Sequence, residues 1–236
     1  MKIHYIQHVD FEDPANILKW AAARGHSLSS TKIFEKAEFP SQDSFDWLVI
    51  MGGPMSTYEE EIYPWLRTEK AFIRDCISDG KTVIGICLGA QMLADVLGGK
   101  VFPNKEKEIG WFPIDWTVEA RVSPYFQGMP LKPVVYHWHG DTFTAPDWTI
   151  RIASSEATFN QGFIAEDGKS LVIALQFHLE STPESVDRII ANAGREIKPA
   201  AHIQTAPEMS SRGTDFRNIE EMIFRLMDNI YAERKQ

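Results

Sequence analysis

The chain has 236 residues, 44% hydrophobic and 24% charged, enough to bury a full core in a single domain spanning residues 1–236. Its formal net charge of −9, with no basic cluster, disfavours nucleic acid and anionic membrane as partners. Two cysteines in so long a chain point to a reducing compartment rather than a disulfide framework, and no stretch approaches the apolar length of a membrane span.

Residues 1–9 (MKIHYIQHV) alternate as a strand does and lack the apolar core and cleavage site of a signal peptide, so a cytoplasmic location is expected. Asp13 and Pro14 open a first helix as N-cap and N1, Ile17, Leu18, Ala21 and Ala22 form its apolar stripe, and Gly25 closes it. Residues 46–56 (DWLVIMGGPMS) read as an apolar strand running into a glycine turn. Residues 65–78 predict a second helix with Leu66, Phe72, Ile73, Cys76 and Ile77 on or near one face, which assigns Cys76 to packing. The strand at Thr82-Val83-Ile84 is followed by a helix over residues 90–97, closed by Gly98-Gly99. Strands separated by helices at this spacing imply a parallel sheet.

From Ile109 to Leu175 short β segments take over, with Asp167-Gly168 as a hairpin signal between Phe163-Ile164 and the run 171–175. This stretch reads as an antiparallel extension that carries the chain to His178. Pro183 starts a helix to about Arg195, and residues 198–213 form a long polar connection. The last helix, about 216–232, repeats Phe216, Ile219, Ile223, Leu226 and Ile230 at helical period and is expected to dock on the domain.

The chemistry centres on residues 85–91, Gly-Ile-Cys-Leu-Gly-Ala-Gln, directly after an apolar strand. Gly85 and Gly89, two residues to either side of Cys87, lack the Cβ atoms that would clash in a sharp strand-turn-helix bend. The bend lifts Sγ above the sheet edge, and the following helix points its positive end at the sulfur, an arrangement that favours thiolate. The N–H of Leu88 is left free to bind a developing oxyanion. Further along stands Gln176-Phe177-His178-Leu179-Glu180. In extended backbone, residues i and i+2 face the same way, so Glu180 can orient the His178 imidazole as base. The Gly52-Gly53 turn places a third strand end beside these two, along the edge where open α/β sheets bind ligands.

Gly52-Gly53-Pro54, residues 85–91 and His178-Leu179-Glu180, in this order and at these separations, resemble the class I, triad-type glutamine amidotransferase domain. Glu108-Ile109-Gly110-Trp111 and residues 137–141 (HWHGD) are similar to the subgroup related to the amidotransferase half of GMP synthetase. The resemblance implies a flavodoxin-like α/β/α sandwich with a central, mostly parallel sheet. It also implies attack of Cys87 on the side-chain amide of glutamine, release of ammonia and hydrolysis of a γ-glutamyl thioester. By the same resemblance the backbone N–H groups of Gly53 and Leu88 form the oxyanion hole, Gly52 lies in the substrate loop, and Gln91 contacts the glutamine main chain.

Asp141 is a natural complement for the α-ammonium of a γ-glutamyl substrate, or else an ordinary turn aspartate. His137 and His139 flank Trp138 at i, i+2 spacing, but with no further ligand at suitable spacing they read as strand and loop histidines, so neither metal nor cofactor is expected. Nothing in these residues resembles a Walker-type loop, and no second domain for ATP chemistry is expected within them. Three readings follow: a glutaminase that serves a separate synthase subunit, a γ-glutamyl peptide hydrolase without one, or a non-catalytic regulatory or binding protein on the same fold.

Overall fold

The computed structural model describes residues 1–235. In chain order the first half contains β1 (Lys2–Gln7), α1 (Asn16–Ala23), β2 (Ser27–Lys32), β3 (Trp47–Ile50), α2 (Trp65–Ser78), β4 (Thr82–Ile86), α3 (Leu88–Val96) and β5 (Lys100–Pro113). The second half contains β6 (Asp115–Trp116), α4 (Val118–Val122), β7 (Val134–Thr144), β8 (Ile150–Ser154), β9 (Gly162–Glu166) and β10 (Leu171–Leu175). It ends with α5 (Pro183–Ala193), α6 (Ala206–Ser210) and α7 (Gly213–Arg234). No helix among the described residues is long and apolar enough to cross a membrane.

The eight-stranded sheet runs β2-β1-β3-β4-β10-β9-β8-β6. Its first five strands are parallel, and the last three continue it antiparallel. Strands β3, β4 and β10 are buried at every residue, as strands covered on both faces must be. Alternation divides their side chains between two cores: Trp47 and Val49 join α1, α5 and α7, whereas Leu48 and Ile50 join α2 and α3. This is the mostly parallel α/β sandwich that the sequence implies. Helix α7 lays Phe216, Ile219, Ile223, Leu226 and Ile230 on the sheet. At its outer edge the Trp20 indole N–H donates to Asp228 at 2.8 Å and Arg24 pairs with the same carboxylate at 2.7 Å.

Several boundaries differ from the sequence reading. Helix α1 begins at Asn16, because Asp13 accepts a hydrogen bond from the Ala15 N–H in a turn of its own and Ala15 takes φ 39°. Helix α3 starts at Leu88, immediately after the cysteine. The 109–175 stretch is not a single extension. Strand β5 begins at Lys100, and β5 and β7 leave the main sheet as a separate antiparallel ribbon. Only β6, β8 and β9 extend the main sheet. The Asp167-Gly168 hairpin is present between β9 and β10, with Gly168 at φ 79°. The 198–213 connection includes the short α6 and also bridges Ile203 to Ile109 of the ribbon.

Candidate active site

Cys87 stands between β4 and α3 with φ 54° and ψ −106°, a left-handed conformation that a side-chain-bearing residue holds only when its surroundings impose it. They do so through two glycines. A Cβ on Gly85 would lie 2.5 Å from the Gly89 backbone, and one on Gly89 would strike the Ile50 carbonyl, so the strand and helix can cross this closely only without side chains. The elbow is held below by the Cys87 N–H, which donates to Leu175 of β10 at 2.8 Å. The thiol faces the Trp138 carbonyl at 3.6 Å and the Gln176 amide at 3.7 Å.

His178 follows β10, the neighbour of β4, so sheet order alone brings it to the cysteine. Its backbone N–H donates to Tyr136 of β7 at 2.8 Å, and its ring Nδ1 meets Glu180 Oε1 at 2.6 Å. The carbonyl of Glu180 accepts from the Asn16 N–H at the start of α1. Among the described residues Nε2 of His178 has no hydrogen-bond partner of its own. Burial opposes charge on this imidazole, but Glu180, together with Cys87, outweighs it and holds the pKa well above the ordinary histidine value. Burial also pushes the Cys87 thiol up, and His178 recovers only part of that rise. The lowered thiol expected from the helix end is therefore not found; the sulfur depends on His178.

Gly53 lies opposite, where a Cβ would sit 2.9 Å from His8 Cβ and 3.0 Å from Leu88 Cδ2. The orientation of its peptide has a specific cause. His8 is fully buried with Nδ1 3.0 Å from the Gly52 carbonyl and Nε2 2.9 Å from Glu69, two groups that only accept, so the ring carries both protons. Although burial lowers it, the charge of Glu69 keeps the His8 pKa above its ordinary value. With the Gly52 oxygen tied down, the N–H of the same trans peptide, that of Gly53, points the opposite way. Leu88 opens α3, whose first-turn N–H groups have no partner within the helix.

A cavity of about 350 Å³ joins these groups; Cys87, His178, Gly53, Gln91 and Asp141 all line it. The Asp141 carboxylate is fixed there by Ser56 Oγ at 2.8 Å and the Tyr58 hydroxyl at 3.1 Å. Gln91 is buried and donates to Gln176 at 3.2 Å, with its amide 3.5 Å from the Asp141 carbonyl. Gly52 leaves room beside His178 Cε1, 3.4 Å from where its Cβ would be, and that same Cβ would strike the Glu12 carboxylate. All eight residues singled out in the sequence thus gather at one end of the sheet.

Sequence reasoning missed Glu12, His8, Gln176 and Trp138 as parts of this site. Glu12 lines the cavity, and burial raises its carboxyl to about 7 despite the opposing charge of His178. Gln176 could have been found, since it stands two residues before His178 and shares its side of the extended segment. Glu12 and His8 carry no local signal, because what they touch lies on distant parts of the chain.

The class-I glutamine amidotransferase family profile matches residues 9–196. The chain belongs to that family. The Salmonella typhimurium protein YfeJ, named as glutamine amidotransferase-like, is 34% identical over 243 residues, covering 100% of both chains. A GMP synthase from Thermomicrobium roseum is 30% identical over 138 residues, 56% of this chain but 23% of that enzyme. The crystal structure of a glutamine amidotransferase from Thermotoga maritima superposes with a TM-score of 0.86 at 29% identity, covering 97% of this chain and 96% of that one.

Proposed function

We propose that the protein is an amide hydrolase of the glutamine amidotransferase type, with Cys87, His178 and Glu180 as its catalytic triad and glutamine or a γ-glutamyl compound as substrate. The observation that carries this reading is the strained Cys87 elbow, facing the His178–Glu180 pair across a cavity that also holds a fixed carboxylate.

The mechanism follows from the groups present. His178 takes the Cys87 proton as the sulfur attacks, because Glu180 supports charge on the imidazole while burial holds the thiol up. The sulfur attacks the γ-carbonyl carbon, and the carbonyl oxygen takes the electron pair and is met by the N–H groups of Gly53 and Leu88. As the C–N bond breaks, His178 delivers its proton to the departing nitrogen, which leaves as ammonia or an amine. The neutral imidazole then takes a proton from water, the hydroxide attacks the thioester, and the C–S bond breaks to return the sulfur and a carboxylate product. Asp141 pairs with the α-ammonium, and Gln91 and the Gly52 loop line the remainder of the amino acid. In the amidotransferase reading the ammonia would pass to a synthase active site; the stretch similar to a GMP synthase spans 23% of that enzyme.

A second reading, hydrolysis of a larger γ-glutamyl amide without a synthase, is favoured by one observation. The same cavity is also lined by Phe11, Ile189 and Ala193, an apolar wall that glutamine itself has no group to cover. The two readings separate on ammonia or amine release from glutamine and from γ-glutamyl peptides, with and without cell extract: stimulation by extract favours the synthase partner, and preference for a bulky amide without stimulation favours the hydrolase.

The test of the shared chemistry is labelling with a glutamine analogue that carries a γ-electrophile. Cys87 is expected to react and Cys76 to stay unmodified, since Cys76 is wholly buried against α2 packing and burial pushes its thiol up to about 12. Substituting Cys87→Ala is expected to abolish both labelling and turnover. Labelling at Cys76 alone, or turnover by the Cys87→Ala protein, would overturn the assignment.

A further inference from the structure

The histidines on either side of Trp138 gain a third group that their sequence spacing does not reveal. In the β5–β7 ribbon Glu108 pairs directly with His139, and Gly110 pairs with His137. Residues directly opposite in an antiparallel ladder share a face, and so do residues two apart on one strand. Glu108, His137 and His139 therefore emerge together, and one ligand-type atom from each lies within 4.8 Å of the other two. All three residues are buried, Glu108 and His137 completely.

Their hydrogen bonding is incomplete in a specific way. Among the described residues Glu108 Oε1, His137 Nε2 and His139 Nε2 have no hydrogen-bond partner. The Nδ1 of His139 lies 3.1 Å from the Asp141 carbonyl, which can only accept, so that nitrogen carries a hydrogen and a neutral ring turns a lone pair from Nε2 toward Glu108 Oε2 at 3.3 Å. A proton on Nε2 would relieve that single contact. It would leave Glu108 Oε1 and His137 Nε2 unmatched, whereas buried polar groups are normally paired. A cation among the three satisfies all of them together.

We propose that Glu108, His137 and His139 form a binding site for one late first-row divalent metal ion, for which Zn2+ is the fitting probe. Two imidazoles and a carboxylate are a donor set suited to such ions, with a coordination position left open, whereas Mg2+ and Ca2+ call for oxygen ligands. The surrounding contacts are those that hold metal ligands in place. The Gln161 amide donates to Glu108 Oε2 at 2.7 Å and to Ser155 Oγ at 3.0 Å, and the Asp141 carbonyl fixes the His139 ring. The ion lies in the wall of the catalytic cavity, since His139 lines that cavity and the intervening Trp138 carbonyl faces Cys87 Sγ. It would tie β5 to β7 behind the nucleophile.

The experiment uses the full chain carrying Cys87→Ala, so that zinc cannot bind through the thiol, stripped with a chelator and titrated with Zn2+ by calorimetry. One ion per chain is expected, with an X-ray absorption shell of nitrogen and oxygen at about 2.0–2.1 Å that includes two imidazoles. Adding His137→Gln is expected to weaken binding by at least about 100-fold while circular dichroism stays unchanged. Failure to take up a stoichiometric ion, or equal uptake by a folded His137→Gln protein, would overturn the proposal. Should that variant not fold, the absorption shell of the parent protein decides: two imidazoles with oxygen support the site, and any other shell rejects it.

Discussion

Two buried histidine–carboxylate pairs meet at β7, one bridged to Tyr136 and one carried on the strand itself, and they are built in opposite ways. His178 and Glu180 are two residues apart on one segment at the end of β10, and their contact of 2.6 Å follows from local geometry alone. His139 and Glu108 come from different strands, meet at 3.3 Å only because β5 and β7 pair in one register, and face a second histidine instead of a thiol. The local pair leaves an imidazole nitrogen directed at a nucleophile and is suited to moving a proton. The cross-strand pair closes on His137 and has no nucleophile beside it, so it is suited to holding a cation. The same two residue types acquire different work from the third group they meet.

The sharpest way to break this comparison is to remove the catalytic base. His178→Ala is expected to lower kcat/KM for any accepted γ-glutamyl substrate by about 10⁴-fold. Near wild-type rates would mean that another group takes the proton. Glu180→Gln should cost less, about 10²-fold, because the imidazole remains but loses its charge partner. The sign of the pH effect is fixed by the contact. Glu180 is the main influence raising His178, so the variant's imidazole pKa must fall, measured by NMR titration of the ring or by the limb of the kcat/KM profile it governs. A profile unmoved by Glu180→Gln would show that the pair does not titrate as a unit.

Asp141 sharpens the comparison from the substrate side. If its carboxylate, held by Ser56 and Tyr58, binds the α-ammonium, Asp141→Asn should raise KM about 10- to 100-fold with little change in kcat, the value of one charge-assisted hydrogen bond. An equal loss in kcat would instead place Asp141 in the transition state. Steady-state kinetics with glutamine, and with an analogue lacking the α-amino group, distinguish the two.

Legibility in the sequence followed the same division between local and cross-chain contacts. The elbow could be read because Gly85, Cys87 and Gly89 act within one bend, and α2 because its apolar period and Asp79-Gly80 end are written along a single helix. The ribbon could not. Residues 105–108 (KEKE) carry no apolar alternation to announce a strand, and their pairing with β7 depends on a register that only the folded chain sets. His8 and Glu69 are separated by 61 positions, and the reason His8 matters, its hold on the Gly52 carbonyl, is a backbone contact with no sequence signature. The fold class was legible as strand–helix alternation. The surroundings of the nucleophile were legible only where one segment supplies both partners.

Glu12 is a further carboxylate, facing His178 without a hydrogen bond to it, and it provides the smallest but most discriminating test. Its carboxyl is raised by burial to about 7 from an ordinary 4.5, which makes it a cost to folding at neutral pH. Below pH 4.5 the group is protonated in both folded and unfolded chains and has no effect. Between 4.5 and 7 the folded chain keeps a proton that the unfolded chain has lost, so its contribution falls as pH rises, and above 7 the penalty is complete at about 3 kcal/mol. Glu12→Gln is neutral at every pH and escapes this penalty. Urea denaturation is expected to find the variant more stable than the parent, with the gap widening by about 2 kcal/mol between pH 5 and pH 8. A gap that is constant across this range, or that narrows as pH rises, would show that Glu12 is not held in its protonated form beside the imidazole. An ionised Glu12 would then act on the His178 imidazole together with Glu180.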